Sequence, residues 1–198
     1  RIWPGNARLY ANLNEEGCRD LIDSILAEGG QKVPAIVRRV EGDPDHDFEV
    51  VAGTRRHWAI SWLRSHDYPD FKYLVQIHAL DDESAFRIAD LANRARRDVS
   101  DLERARNYAW TLEKHYGGTT SRMAERLRVS KGWLSKMLKV AEIPDEVVAA
   151  FATVTDVQLK PAYELAQVME KPAAAAAVRA EALRLSAEQG RLRSEGQS

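Results

Sequence analysis

Apolar positions recur in this chain with two periods, and they change along its length. After Asn14, Cys18, Leu21, Ile22 and Ile25 form one helical face that stops at Gly29-Gly30, with Glu15 and Glu16 in the first turn suiting the helix dipole. Two β-rich runs follow, Val33 to Val37 and Phe48 to Ala52, separated by the acidic turn Glu41 to Asp47; Tyr73 to Leu80 alternates as a third strand. Between the second and third strands, Trp58, Ile60, Trp62 and Leu63 mark a helix, and Asp81 or Asp82 caps another through Ala85, Ile88, Ala89 and Leu91. From there the period is helical throughout. Ser100 with Glu103 forms a capping box for a helix from Leu102 to Tyr116 that buries Leu102, Ala105, Ala109 and Leu112 and ends at Gly117-Gly118. Further helices are expected over Val147 to Phe151, Gln158 to Met169 and the alanine-rich Ala173 to Gln189, whose alanines signal helix propensity. The pattern predicts an α+β protein with a small mixed α/β lobe over residues 1–95, an all-helical domain over 96–190 and a frayed tail over 191–198.

Within the helical part, Met123, Ala124 and Leu127 and then Leu134, Met137 and Leu138 stand in two runs on either side of Arg128-Val129-Ser130. Two short helices joined by a tight turn, over about 119–140, account for that spacing. Thr119 or Thr120 caps the first helix and Ser130 the second, small Ala124 lets the helices cross closely, and Val129 fills the corner. This is a helix-turn-helix. Its second helix displays Ser130, Lys131, Trp133, Ser135 and Lys136, and Arg122 lies on the first, so these are the candidate DNA-binding residues. The competing reading is an ordinary helical hairpin whose lysines are solvated charge.

The distribution of charge favours the first of the two. The 198 residues sum to −1, which by itself speaks against affinity for phosphate. Yet residues 1–86 carry 10 basic and 15 acidic side chains, residues 87–140 carry 13 and 6, and residues 141–198 carry 6 and 9. Positive charge is concentrated where the helix-turn-helix lies, as a DNA-binding surface requires. Cys18 stands alone, which excludes an internal disulfide framework or a cysteine-based zinc site and fits a reducing cytoplasm. No run approaches the roughly 20 apolar residues of a membrane span, no signal peptide is evident, and Arg rather than Met at position 1 reads as an excised fragment.

Gly53-Thr54-Arg55-Arg56-His57-Trp58-Ala59 places a glycine at the end of a strand, two arginines and then a helix. Helix-start amides and guanidinium forks together suit a phosphate. Taken alone, the stretch reads at least as well as a glycine turn with exposed arginines, and His57 as a packing or capping residue. Asn93-Arg94-Ala95-Arg96-Arg97-Asp98 groups three arginines with a carboxamide just before Ser100; by themselves they read equally well as linker charge.

Three elements in order, Val33-Pro34-Ala35-Ile36-Val37-Arg38, Gly53 to Ala59, and Ala92-Asn93-Arg94-Ala95-Arg96-Arg97-Asp98, resemble the first box, the G-E-R-R-x-R-A box and the E-N-x-x-R-x-D box of the ParB/Spo0J partition-protein family, which includes the plasmid RepB and KorB relatives. The match spans about residues 6–170, and the helix-turn-helix falls where the family has it. The resemblance implies a centromere-binding protein that recognises a palindromic duplex site as a homodimer and works with a ParA-type ATPase in plasmid or chromosome segregation. It further implies that CTP with Mg²⁺ binds in the N-terminal lobe and closes two subunits into a sliding clamp. Carried over, Gly53, Thr54, Arg55 and Arg56 would hold the triphosphate, Asn93 would help coordinate the metal, and Arg96 would support the pocket.

Three departures bear on this. Ala92 stands where the family has a glutamate associated with CTP turnover, and a methyl group neither ligates a metal nor positions water, so at most a weak CTPase is expected. Val33 replaces a glutamine, although Gln31 is near, and Thr54 replaces a glutamate. Asp90, one helical turn before Asn93, is a carboxylate within reach of the same face. Two other readings remain: a KorB-like transcriptional repressor, and a nucleotide-dependent enzyme, for which the acidic stretch Glu41 to Glu49 would have to be more than a solvated turn. The family's usual dimerisation segment would lie beyond Ser198, and the arm that contacts ParA would precede Arg1.

Overall fold

The computed structural model describes residues 1–7, 10–94 and 99–194, with side chains through Arg191. Its contacts divide the chain into two units, Arg1–Ala95 and Arg96–Ser198.

In the first unit Asn14 caps helix α1 (Glu15–Ala27), its Oδ1 accepting from the Gly17 amide at 2.8 Å. Cys18, Ile22 and Ile25 from α1 meet Ala59, Ile60 and Leu63 from α2 (Thr54–Ser65) in the buried cluster that joins these helices. The sheet has the order β2-β1-β3: β1 (Ala35–Arg39) pairs antiparallel with β2 (Phe48–Ala52) and parallel with β3 (Val75–Ile77). The N-terminal arm is more ordered than its sequence suggests. Ile2 bridges Val50, the Trp3 amide donates to the Val50 carbonyl at 3.1 Å, and Trp3 is buried. Helix α3 (Asp82–Arg94) packs on β2, and Asp81 is its cap, accepting from the Ser84 amide at 2.8 Å.

Several sequence expectations need revision here. The first strand begins at Ala35, because the Val33 and Pro34 carbonyls are taken by Arg56; Val33 is 64% exposed. The third strand shrinks to three residues, all exposed, and the Gln31 carboxamide brackets Leu74 where a longer ladder was expected. On α3 the buried face is Ala85, Phe86, Ala89 and Asp90, whereas Leu91 is 71% exposed. Period alone placed Leu91 inside.

In the second unit α4 (Asp101–Tyr116) starts at the expected capping box, the Glu103 amide donating to Ser100 Oγ at 3.1 Å and the Ser100 amide to Glu103 Oε2 at 3.0 Å. It ends in Gly117, in the left-handed region with φ 55°. There follow α5 (Thr120–Leu127), α6 (Lys131–Ala141), α7 (Asp145–Val148), α8 (Leu159–Val168) and α9 (Pro172–Ser194). α4 and α8 pack on α6, α5 on α4 and α6, and α9 on α7. Tyr108 completes the stripe on α4 with Leu102, Ala105 and Leu112, while Ala109 is only half-buried. α7 stops at Val148, short of Phe151, and α9 continues to Ser194, so the helix enters the stretch expected to fray. Among the described residues no helix is long and apolar enough to cross a membrane.

Candidate nucleic-acid interface and nucleotide loop

α5 and α6 meet through Met123, Ala124 and Leu127 on one side and Leu134, Met137 and Val140 on the other, all buried. Val140 takes the inward place expected of Leu138, which is half-buried. The corner between them is made by Arg128, the one described non-glycine residue with positive φ (54°), while the Val129 amide closes back onto the Ala124 carbonyl at 3.0 Å. Thr119 provides no side-chain cap to α5, contrary to expectation. Ser130 does cap α6, its Oγ accepting from the Trp133 amide at 3.1 Å.

Around this corner Arg122, Ser130, Lys131, Ser135 and Lys136 are exposed. Trp133 is half-buried: its ring sits edge-on to Tyr108 of α4, centroids 5.9 Å apart at 69°. An edge-to-face aromatic pair of this kind fixes ring orientation as well as adding contact area. Lys136 Nζ lies 5.6 Å from the Tyr163 ring of α8. Tyr108 and Tyr163 were therefore missed as partners of the surface. For Tyr108 a signal existed, since it falls on the buried stripe of α4; for Tyr163 none did.

The glycine-arginine stretch is arranged differently from its simplest reading. Gly53 has φ 110°, and a Cβ there would come 2.7 Å from the Ala35 Cβ, so the close approach that requires glycine is made by β1. α2 receives no side-chain cap at Gly53, and Thr54 is buried. The arginines diverge. Arg55 Nη2 donates to the Gly17 carbonyl at 2.7 Å and to Asp20 Oδ1 at 2.6 Å, whereas Arg56 Nη1 donates to the Val33 and Pro34 carbonyls at 2.8 and 2.7 Å. His57 Nδ1 pairs with the Tyr10 hydroxyl at 2.7 Å, its ring stands edge-on to Tyr10 and Tyr73, and the Tyr73 hydroxyl donates to the Gly53 carbonyl at 3.3 Å. Burial lowers the His57 pKa and raises those of Tyr10 and Tyr73, so this cluster behind the loop is neutral. His57 packs, as expected.

Both guanidinium groups of the first turn of α2 are engaged within the fold, Arg55 by Asp20 and the Gly17 carbonyl and Arg56 by the Val33 and Pro34 carbonyls, so the structure does not converge them on one anion. The donor set for Mg²⁺ is thinner. Asn93 is half-buried near the end of α3, Ala92 is exposed, and the buried Asp90 carboxylate is engaged by Arg94 at 2.5 Å. No group of three metal-ligating carboxylates, histidines or cysteines occurs among the described residues, so an ion here would rest mainly on phosphate oxygens. Arg96 lies outside the described residues.

The profile of the centromere-binding protein HTH domain matches residues 99–172. Protein SopB of Escherichia coli is 34% identical over 152 residues, covering 77% of this chain and 43% of SopB. The chromosome-partitioning protein Spo0J of Thermus thermophilus is 32% identical over 149 residues, 75% of this chain and 51% of Spo0J. A crystal structure of the C-terminally truncated chromosome-partitioning protein ParB from Caulobacter crescentus, complexed to the centromeric parS site, covers 95% of both chains at 22% identity with a TM-score of 0.49. The chain spans about half or less of the length of these two curated relatives.

Proposed function

The chain belongs to the ParB-type family of partition proteins, and from that membership we propose that it binds double-stranded DNA at a palindromic, centromere-like site as one half of a homodimer. The observation that carries this reading is the capped helix α6, which turns Lys131, Ser135 and Lys136 to solvent at the end of the one positively charged stretch of the chain, residues 87–140. α6 enters the major groove; the lysines meet phosphates and the free edge of Trp133 meets bases. Two such helices reading half-sites one turn of DNA apart, or a multiple of it, give the palindrome.

In the same reading the N-terminal unit holds CTP with Mg²⁺. Gly53, Thr54, Arg55 and Arg56 receive the phosphates, Asn93 contributes an oxygen to the ion, and Arg96 supports the pocket. Bound nucleotide closes two subunits into a clamp on DNA, and a ParA-type ATPase in the bacterial cytoplasm uses the complex in segregation. The similarity to Spo0J, a chromosome-partitioning protein by its name, supports a role in segregation.

Fluorescence anisotropy across salt concentrations tests the DNA reading. Lys136→Ala should weaken binding to cognate and random duplexes alike and reduce the slope of log K against log salt by about one phosphate's worth, roughly 0.9. Trp133→Ala should instead act mainly on the cognate duplex. Equal losses on both duplexes from both variants would remove the division of labour, and a wild-type chain that ignores every duplex at low salt would remove DNA binding itself.

A further inference from the structure

Arg55 is the second residue of α2, and its side chain is only 13% exposed. A cation so far withdrawn from water needs an anion beside it, and at the positive end of a helix the demand is greater. The fold supplies one from α1. Asp20 Oδ1 accepts from Arg55 Nη2 at 2.6 Å, and the Gly17 carbonyl accepts from the same nitrogen at 2.7 Å. Arg56, the next residue, donates to the neutral carbonyls of Val33 and Pro34. Among these acceptors Asp20 alone is charged, and it alone is a side chain that can swing away.

The Asp20 side chain is 75% exposed. An ion pair with one member so open to water contributes little to the stability of the fold. What the contact does is occupy Arg55. A carboxylate offers a guanidinium the same pair of oxygens that a phosphate does, so Asp20 stands on Arg55 in the manner of a phosphate. Two anions on one fork exclude each other by charge as well as by space.

We propose that Asp20 is an internal competitor for the nucleotide: it holds Arg55 until a polyphosphate displaces it, and so sets the threshold of affinity at this site. The inference rests on the nucleotide-binding reading and adds its regulation. It also gives the divergence of the two arginines a role, because Arg55 turns to the ligand only when Asp20 gives way. A triphosphate can meet Arg56 and the first amides of α2 while it competes with the carboxylate for Arg55, an advantage that a single phosphate lacks.

Asp23, exposed on the same helix, is the control for charge. Asp20→Asn, Asp20→Ala and Asp23→Asn are made in the 198-residue chain. The readouts are retention of labelled CTP and the rise in unfolding temperature produced by CTP or by inorganic triphosphate. Both Asp20 variants should bind CTP about fivefold more tightly than wild type and show the larger rise with either ligand, while Asp23→Asn changes affinity less than about twofold. CTP retained by the Asp20 variants and not by wild type would support the same conclusion. Wild-type or weaker affinity in both Asp20 variants, or an equal gain in Asp23→Asn, would overturn the competitor while leaving nucleotide binding in place. Neither ligand bound by any of the four chains, each unfolding near the wild-type temperature, would instead overturn the nucleotide-binding reading and the competitor with it.

Discussion

Gly53 and His57 share the first turn and a half of α2, and each has a measurable consequence. The φ of 110° at Gly53 and the 2.7 Å separation a Cβ would have from the Ala35 Cβ mean that Gly53→Ala must both strain its backbone and push β1 away. A loss of about 2–3 kcal/mol in urea unfolding is expected. For His57 the pKa is lowered from its ordinary 6.5 by burial, so the folded chain binds fewer protons there than the unfolded one. Its contribution is fully present above pH 6.5 and is lost as pH falls through the folded value. Stability should therefore drop below about pH 6.5 with a slope that His57→Gln flattens; an unchanged slope would remove the buried-imidazole account. The sequence offered the glycine and the two arginines, but it could not say that β1 fills the space beside Gly53. Nor could it say that Arg55 and Arg56 point to different acceptors, since Asp20 and the Val33 carbonyl are distant in sequence.

At the scale of elements, what was legible was whatever is decided locally. The caps at Asn14, Ser100 and Ser130 follow from side-chain chemistry within four residues, and the structure has all three. Ser130→Ala should cost about 1 kcal/mol in chemical unfolding, the usual worth of such a cap, and should weaken DNA binding more than Ser100→Ala, whose cap is on α4. What was not legible depends on partners far along the chain. The third strand is the short parallel partner of β1 at one edge of the sheet, and on α3 Phe86 is buried while Leu91 is exposed. Arg38 is another case. It joins Glu49 of β2 at 2.7 Å to Asp82 at the start of α3 at 2.6 Å, with Glu49 almost fully buried, a network that no period in the sequence announces. Arg38→Ala leaves that buried carboxylate paired with Arg1, 3.1 Å away, and should cost about 3 kcal/mol by urea titration; a loss below half of that would show the network to be peripheral.

For the whole molecule the segregation of charge matters more than its sum. A chain of net charge −1 should still bind DNA with a steep salt dependence, because its positive charge is concentrated in residues 87–140 while the flanks are acidic. The nucleotide switch is tested by incubating the intact chain with labelled CTP and ATP, with and without cognate duplex. CTP retained in preference to ATP is the expected result, with slow turnover or none given Ala92. Equal retention of both, or of neither, would leave a plain DNA binder. Tyr108 is fully buried in α4 and yet stands against the ring of Trp133, so in the proposed interface the orientation of that ring is set by a side chain outside the exposed surface. Under that proposal, exchanging this hidden residue alone would alter sequence preference while every exposed residue of the surface stayed as it is.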